Sequence, residues 1–393
     1  MKKPFAPKDV FIGSEVDSSR IAPDAIIHPA CRIRGAKTSI GPGCVLGAEA
    51  PVTLENCQLG RDVKLKGGYF SGTVFLDGSN MGSGAHVRAG TILEEQACGA
   101  HTVGLKQTVL LPFVTLGSLI NFCDILMAGG TSRRNHSEVG SSYIHFNFTP
   151  HQDKATASLI GDVPCGVLLN QKPIFLGGQG GLVGPARIAY GCVIAAGGIC
   201  RKDVLTENQL HVPAALPEQT VAYESGVYNK IDRIVKNNLI YIGNILALKA
   251  WYEKVRVLFI RDEFDVACHE GARANFDLIL TERIERLSRF AVKMKSSIDA
   301  LEACAAEGGK KGGAEVLIAG QRKFAKAWPT IREALERPLD TVADAGLMIE
   351  IKKADKADYI AAIQNLSESA CAGATTWLQA IVDEAANLWR GLI

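Results

Sequence analysis

Three histidines and three cations crowd one short stretch of this chain. His136, His145 and His151 lie within sixteen residues, beside Arg133, Arg134 and Lys154. Histidine changes charge near neutral pH, so each of the three is a candidate general base. The basic neighbours suit an anionic ligand. His145 and Asn147 share the alternating segment YIHFNF, and if that segment is extended their side chains point to one face. A base beside an amide that can hold a hydroxyl is a workable pair. His151, in the loop TPHQDK, is placed to reach a neighbouring subunit. A surface or structural role is the alternative for each histidine taken alone.

The elements that must position these groups show a period of six. Aliphatic residues recur at Ile21, Ile27 and Ile33, at Ile40, Leu46 and Val52, at Met81, Val87 and Leu93, and at Leu182, Ile188 and Ile194. A small residue follows many of them at the fourth position, among them Ala25, Cys31, Cys44, Ala85 and Cys192. Six matches neither a helix nor a flat strand, but it matches a coil whose walls each take one hexapeptide. The aliphatic side chain fills the prism and the small one lets the chain turn. The spacing predicts a parallel β-helix.

The chain divides by composition. Residues 1–216 hold 29 of the 40 glycines and 35 charged residues; residues 217–393 hold 11 glycines and 49 charged residues. The first part is read as the β-helix domain and the second as a helical bundle domain of unknown role, with the break at HVPAALPEQ. Ile231, Ile234, Val235, Leu239, Ile242 and Leu246 form one helical stripe, and Ile284, Leu287, Met294, Ile298 and Leu301 another. Residues 308–313, GGKKGG, are expected to be a loop. Pro329 and Pro338 are expected to break the segment after that loop, before a last helix carrying Tyr359 to Trp389. About four helices are expected, with no catalytic motif among them.

A net charge of +2 gives no reason to invoke nucleic acid or an anionic membrane. The start, MKKPFAPKDV, has no apolar stretch of a signal peptide, so a cytoplasmic protein is expected. The eleven cysteines include no CxxC pair, and neither metal site nor disulfide is expected.

The stretch FLGGQGGLVGPARIAYGCVIAAGGICRKDV, Phe175–Val204, adds a resemblance, as do HSEVGSS, Phe146-Asn147-Phe148, Lys154 and LIGD at Leu159–Asp162. Together they resemble the left-handed β-helix acetyltransferase domain of the bifunctional N-acetylglucosamine-1-phosphate uridyltransferase / glucosamine-1-phosphate acetyltransferase family. The resemblance is good over Val139–Val204 and generic before it. It implies a left-handed prism, a homotrimer with sites between subunits, a sugar phosphate or nucleotide sugar such as UDP-N-acetylglucosamine as ligand, and acetyl-CoA as donor.

Carried over position by position, Asn147 would bind substrate hydroxyls or the acyl carbonyl. Phe148 stands where the family has tyrosine and can stack without a phenolic handle. Lys154 would meet a phosphate or carboxylate. Gly178, Ala195 and Ala196 would line the coenzyme, with Arg201 on its phosphates. A turn asparagine, a solvated lysine and small residues demanded by tight coils are the alternatives.

Three departures matter. The family's nucleotidyltransferase domain is not in this sequence, so uridyltransferase activity is not expected; MAGGTSRR, at Met127–Arg134, echoes its phosphate loop only superficially. The family's histidine phrase has its counterpart at Ile120–Gly130, INFCDILMAGG, which holds no histidine. About a dozen residues around Val163–Ile174 look inserted. The sequence therefore predicts an acyltransferase-like protein with His145 or His136 as base. The alternatives are a catalytically inactive sugar-nucleotide binding protein and a trimeric scaffold.

Overall fold

The computed structural model describes residues 9–147, 153–220, 223, 225–306 and 311–391; Phe148 and His151 lie outside them. From residue 11 to residue 211 the chain winds through about 11 turns of parallel strands, a left-handed β-helix. The one antiparallel pair among the described residues is a hairpin, Gly130–Ser132 with Asn135–His136.

The six-residue beat becomes the prism interior. On the first face Ile33, Leu54, Phe70, Val87, Leu105 and Phe122 stack in register, one per coil, and all are buried. Each stabilises the coil by roughly 1.5–3 kcal/mol of apolar burial. The small residues Ala25, Cys31, Cys44 and Cys192 are buried at the turns.

The prism has three faces. The first carries strands Arg32–Arg34, Val52–Glu55, Gly68–Ser71, Ala85–Val87, Ile144–Phe146 and Gly181–Val183. The second carries Ser39–Ile40, Gln58–Leu59, Thr73–Phe75, Thr91–Leu93, Ser158–Ile160 and Arg187–Ile188. The third runs from Ile26–Ile27 to Leu210–His211 as a ten-stranded sheet. Two seven-residue strands, Gly104–Leu110 and Asn121–Met127, bend over the edge between first and second faces and join them into one sheet. The bends fall at Gln107 (φ 48°) and Asp124 (φ 60°), in the left-handed region that asparagine-like polar residues tolerate better than branched ones.

The helical turn α1 (Val163–Gly166) occupies the insertion seen in the sequence. It is capped by Asp162, whose carboxylate accepts from the Cys165 amide. The longer helices follow: α2 (Ile231–Lys254), α3 (Glu263–Ala306), α4 (Lys311–Glu336), α5 (Ala345–Lys353), α6 (Tyr359–Gln364) and α7 (Glu368–Arg390). Among the described residues that is six helices where about four were expected. The segment read as one last helix is two, because Asp358 caps α6 and Ser367 caps α7. Helix α4 begins inside GGKKGG and runs through Pro329. The flanking Phe324, Trp328 and Ile331 are buried and hold the turns on either side of the proline; the helix stops before Pro338.

Helices α2 and α3 lie on the second face. Helix and coil pack closely at Gly271 of α3, where a Cβ would stand 2.1 Å from Gln58 Oε1. Asn275 accepts from the Gly90 amide at 3.1 Å. At the next edge Arg256 bonds both Glu94 and Glu95, with its guanidinium between the rings of Tyr252 and Tyr359. Burial raises the Glu94 carboxyl above the ordinary carboxylate range despite that cation. The largest apolar cluster runs from the prism into α2, α3, α5, α6 and α7, so coils and helices share a core. No described helix is long and apolar enough to cross a membrane.

Candidate functional site

The three edges of the prism decide which of the predicted residues meet. His136, Arg133 and Arg134 belong to the hairpin on the edge between second and third faces. Asn147, Lys154 and Arg201 lie on the edge between first and second. Gly178, Ala195 and Ala196 lie on the edge between third and first. The cluster that is compact in sequence is thus divided in space, because the strands Glu138–Val139 and Ile144–Phe146 carry the chain across the third and first faces between the hairpin and Asn147.

On the hairpin, Arg133 donates to the carbonyls of Gln96 (3.0 Å) and Phe113 (2.7 Å) and to Thr115 Oγ1 (3.0 Å). It clamps two earlier coils. His136 Nδ1 is 2.9 Å from the Arg133 carbonyl, and its Nε2 is 3.7 Å from Glu138. Arg134 is exposed.

His145 points into the prism. In Ile144–Phe146 only the middle residue is buried, and it takes the interior place between Phe122 and Leu182 where other coils have a hydrophobe. Its Nδ1 is 2.5 Å from the Cys123 carbonyl and its Nε2 is 2.8 Å from Ser158 Oγ, so both ring nitrogens are used inside the coil. Burial lowers its pKa, which keeps the imidazole neutral.

Asn147 lies just past the end of the strand and is half-buried. Its amide reaches the buried Asp124 at 3.4 Å. Asp124 is ion-paired with Arg283 of α3 at 2.9 Å, and both side chains are buried. Arg283 also bonds the Lys154 carbonyl and Gln107 Oε1, each at 3.2 Å. The helix therefore completes this edge from outside, which no spacing within the coils foretold.

Two further cations stand on the first face beside that edge. Arg88 follows the interior Val87 and Lys106 follows the interior Leu105, one coil apart. Lys106 is in register with Cys123 on the next strand. Arg88, Lys106 and Lys154 all act on the Cys123 thiol electrostatically, each pulling its pKa down against burial and Asp124, which push it up. Arg88 and Lys106 make no side-chain ion pair or hydrogen bond among the described residues. Their signal in sequence is the coil repeat itself: each is the residue after a beat position, eighteen apart.

The third-to-first edge is a ladder of small residues. The Gln179 amide bonds the Ser141 carbonyl at 2.8 Å, and the Gly197 amide the Gly178 carbonyl at 2.9 Å. A Cβ on Gly177 would stand 2.3 Å from the Ala196 nitrogen, so glycine is required for these coils to stack. Ala196 is exposed. Arg201 is separated from this ladder by the width of the first face.

Curated relatives resemble this chain over its coils. The bifunctional protein GlmU of Thermotoga petrophila is 27% identical over 188 residues, which is 48% of this chain and 37% of that protein. GlmU of Pelobacter propionicus is 29% identical over 189 residues, 47% of this chain and 36% of its own length. GlmU of Trichlorobacter lovleyi is 28% identical over 199 residues, 50% and 38%. The matching region is the acetyltransferase part of GlmU. The match thus spans under two fifths of each GlmU protein. No family model matches the chain. Among the described residues, no group of three or more His, Cys, Asp or Glu is placed to hold a metal ion.

Proposed function

We infer that this protein is a hexapeptide-repeat acyltransferase-like protein that binds a sugar phosphate on the open first face. Its acyl donor is acetyl-CoA, laid along the small-residue ladder at Gly178, Ala195 and Ala196. The observation that carries this reading is the pair Arg88 and Lys106, two outward cations on adjacent strands with Lys154 close by. Cations one strand apart suit the oxygens of a phosphate, and Asn147 borders the same edge; Lys106 also lies within the field of the Glu282 carboxylate of α3. Phosphate binding by such groups is worth about 1.5–3 kcal/mol per charged hydrogen bond.

The protein assembles as a homotrimer through the first and third faces. Supporting this, Leu119, Ile144, Phe146, Phe175, Val193 and Leu210 are exposed on either side of the edge where those faces meet. Apolar residues gathered like this mark association surfaces. A second reading, a sugar-phosphate binding protein without transfer, is favoured by one observation: the strand Asn121–Met127 carries no histidine.

Calorimetric titration with glucosamine-1-phosphate tests the reading. The unaltered protein should bind, and Arg88→Ala or Lys106→Ala should each weaken binding about 10- to 100-fold. Equal affinity in both variants would sink the assignment of these cations. Binding without release of coenzyme thiol from acetyl-CoA would move the conclusion to the second reading.

A further inference from the structure

Two elements lean out of the prism, one over the third face and one over the first. The hairpin Gly130–Ser132 with Asn135–His136 stands at the edge between second and third faces. Its Arg133 reaches Thr115 Oγ1 at 3.0 Å and Cys98 Sγ at 3.3 Å, both on strands of the third face, so the hairpin bends over that face. From the other side Gln364 of α6 donates to the Thr131 carbonyl at 2.7 Å and fixes it. At the tip Arg134 is exposed, and its side chain makes no hydrogen bond or ion pair among the described residues.

The second element is α3. Gly271 packs on Gln58, Asn275 bonds the Gly90 amide and Arg283 pairs with Asp124. From Gly271 to Arg283 the helix rises about 18 Å. The coils of Gln58 and Asp124 are four strand spacings apart, about 19 Å. The helix therefore runs nearly parallel to the prism. It also leans past the edge of the first face. An added Cβ on Gly90 would stand 3.1 Å from Leu278, and Glu282 lies in the field of Lys106. Glu282 and Glu285 continue this flank, each bonded to an arginine one turn on, Arg286 and Arg289.

Both overhangs stand at one level along the prism. The hairpin follows the strand Asn121–Met127, and Arg283 binds Asp124 of that same strand. Within one subunit they sit on different edges and cannot meet. In a ring of three subunits closed about the edge between third and first faces, they can. Corners of about 60° around a threefold axis leave a wedge of about 60° between the first face of one subunit and the third face of the next. The outer mouth of that wedge is about one face wide, ~20 Å at most for six residues of strand. One lip carries a helix about 10–12 Å across. The other carries the hairpin, with Arg134 at its tip.

We propose that the hairpin of one subunit docks on the α3 flank of the next, pairing Arg134 with Glu285 of the partner subunit and closing the mouth of each wedge. The proposal rests on the reading that the protein is a homotrimer joined through its first and third faces. The charges are complementary. Arg134 brings a cation without a partner, and the Glu285 side chain is 46% exposed with only the exposed Arg289 beside it. Charges at the rim of an interface fix its register and reject mismatched charge more than they add affinity.

Sedimentation equilibrium of the full chain tests the contact in Arg134→Glu, in Glu285→Arg and in the two changes together. The unaltered protein should be a trimer. Each single change alters three symmetry-related contacts at once and should raise the concentration of half-dissociation by about tenfold. The double change should restore it, because the pair is rebuilt with its charges exchanged. For a trimer that stays whole on dilution, the same comparison is read from the rate of subunit exchange between labelled copies. An unaltered protein that is monomeric overturns the trimer reading and the contact together. A trimer indifferent to either single change overturns the contact alone. A double change no better than the single ones does the same, since the two residues would then act apart.

Discussion

The first and second faces of the prism are built from the same coils and share two strands, yet one is open and the other sealed. Their outward columns show why. On the second face Val74, Ile92, Val109, Leu126 and Leu159 follow one another in register, all buried under helices. On the first face the corresponding column is Arg32, Thr53, Tyr69, His86, Gly104 and Asn121. Strands buried on both sides read as continuous apolar runs, and strands with one wet side alternate. The covered face spends its outward positions on packing. The open face keeps them for polar groups that can meet a ligand.

Several changes would break or sharpen that contrast. The largest effect is expected at Arg256, which joins helix and prism at the margin of the covered face. Arg256→Ala would strand Glu94 and Glu95 and should cost about 3–5 kcal/mol, read as a fall in the denaturant midpoint. On the covered face itself, Leu126→Ala should cost about 2–5 kcal/mol by leaving a cavity. Asn121→Ala, five residues earlier on the same strand but facing the open side, should stay within about 0.5 kcal/mol. Similar losses at both positions would mean the two faces are not different in kind.

His145 gives a smaller, pH-dependent effect. Burial lowers its pKa in the fold, whereas the unfolded chain takes up the proton near pH ~6.5. Stability from the neutral ring is therefore complete above that pH and is lost as pH falls below it. Urea unfolding at neutral pH and at pH ~5 should show this loss, and His145→Leu should flatten it. A variant with the same acid sensitivity would place the titrating group elsewhere. The smallest effect on stability is expected for Arg88→Ala, within about 0.5 kcal/mol, even though the same change should weaken sugar-phosphate binding.

Much of the fold was legible because the six-residue beat is a physical requirement repeated in every coil. The phase of that beat also carried more than its period alone. Val139 is an interior position, and His145 lies six residues on, which places it inside the prism rather than on a ligand face. Alternation gave His145 and Asn147 a common side only if the strand ran on past Phe146, where it ends. The runs TVLL at Thr108–Leu111 and ILM at Ile125–Met127 carried the mark of a covered face. What no periodicity contained was Arg283, which arrives from α3 to pair with Asp124 across more than a hundred residues. The divided fate of the histidine cluster has the same cause, since neighbours along an edge are one coil apart rather than adjacent in sequence.

The sealed second face also limits what the molecule can build. A three-sided rod with one flank occupied by its own helices has room for at most two lateral neighbours. Such units can close into a ring about an axis or run on as a single file. They cannot tile a layer, because every tile in a layer of triangular rods must share all three flanks.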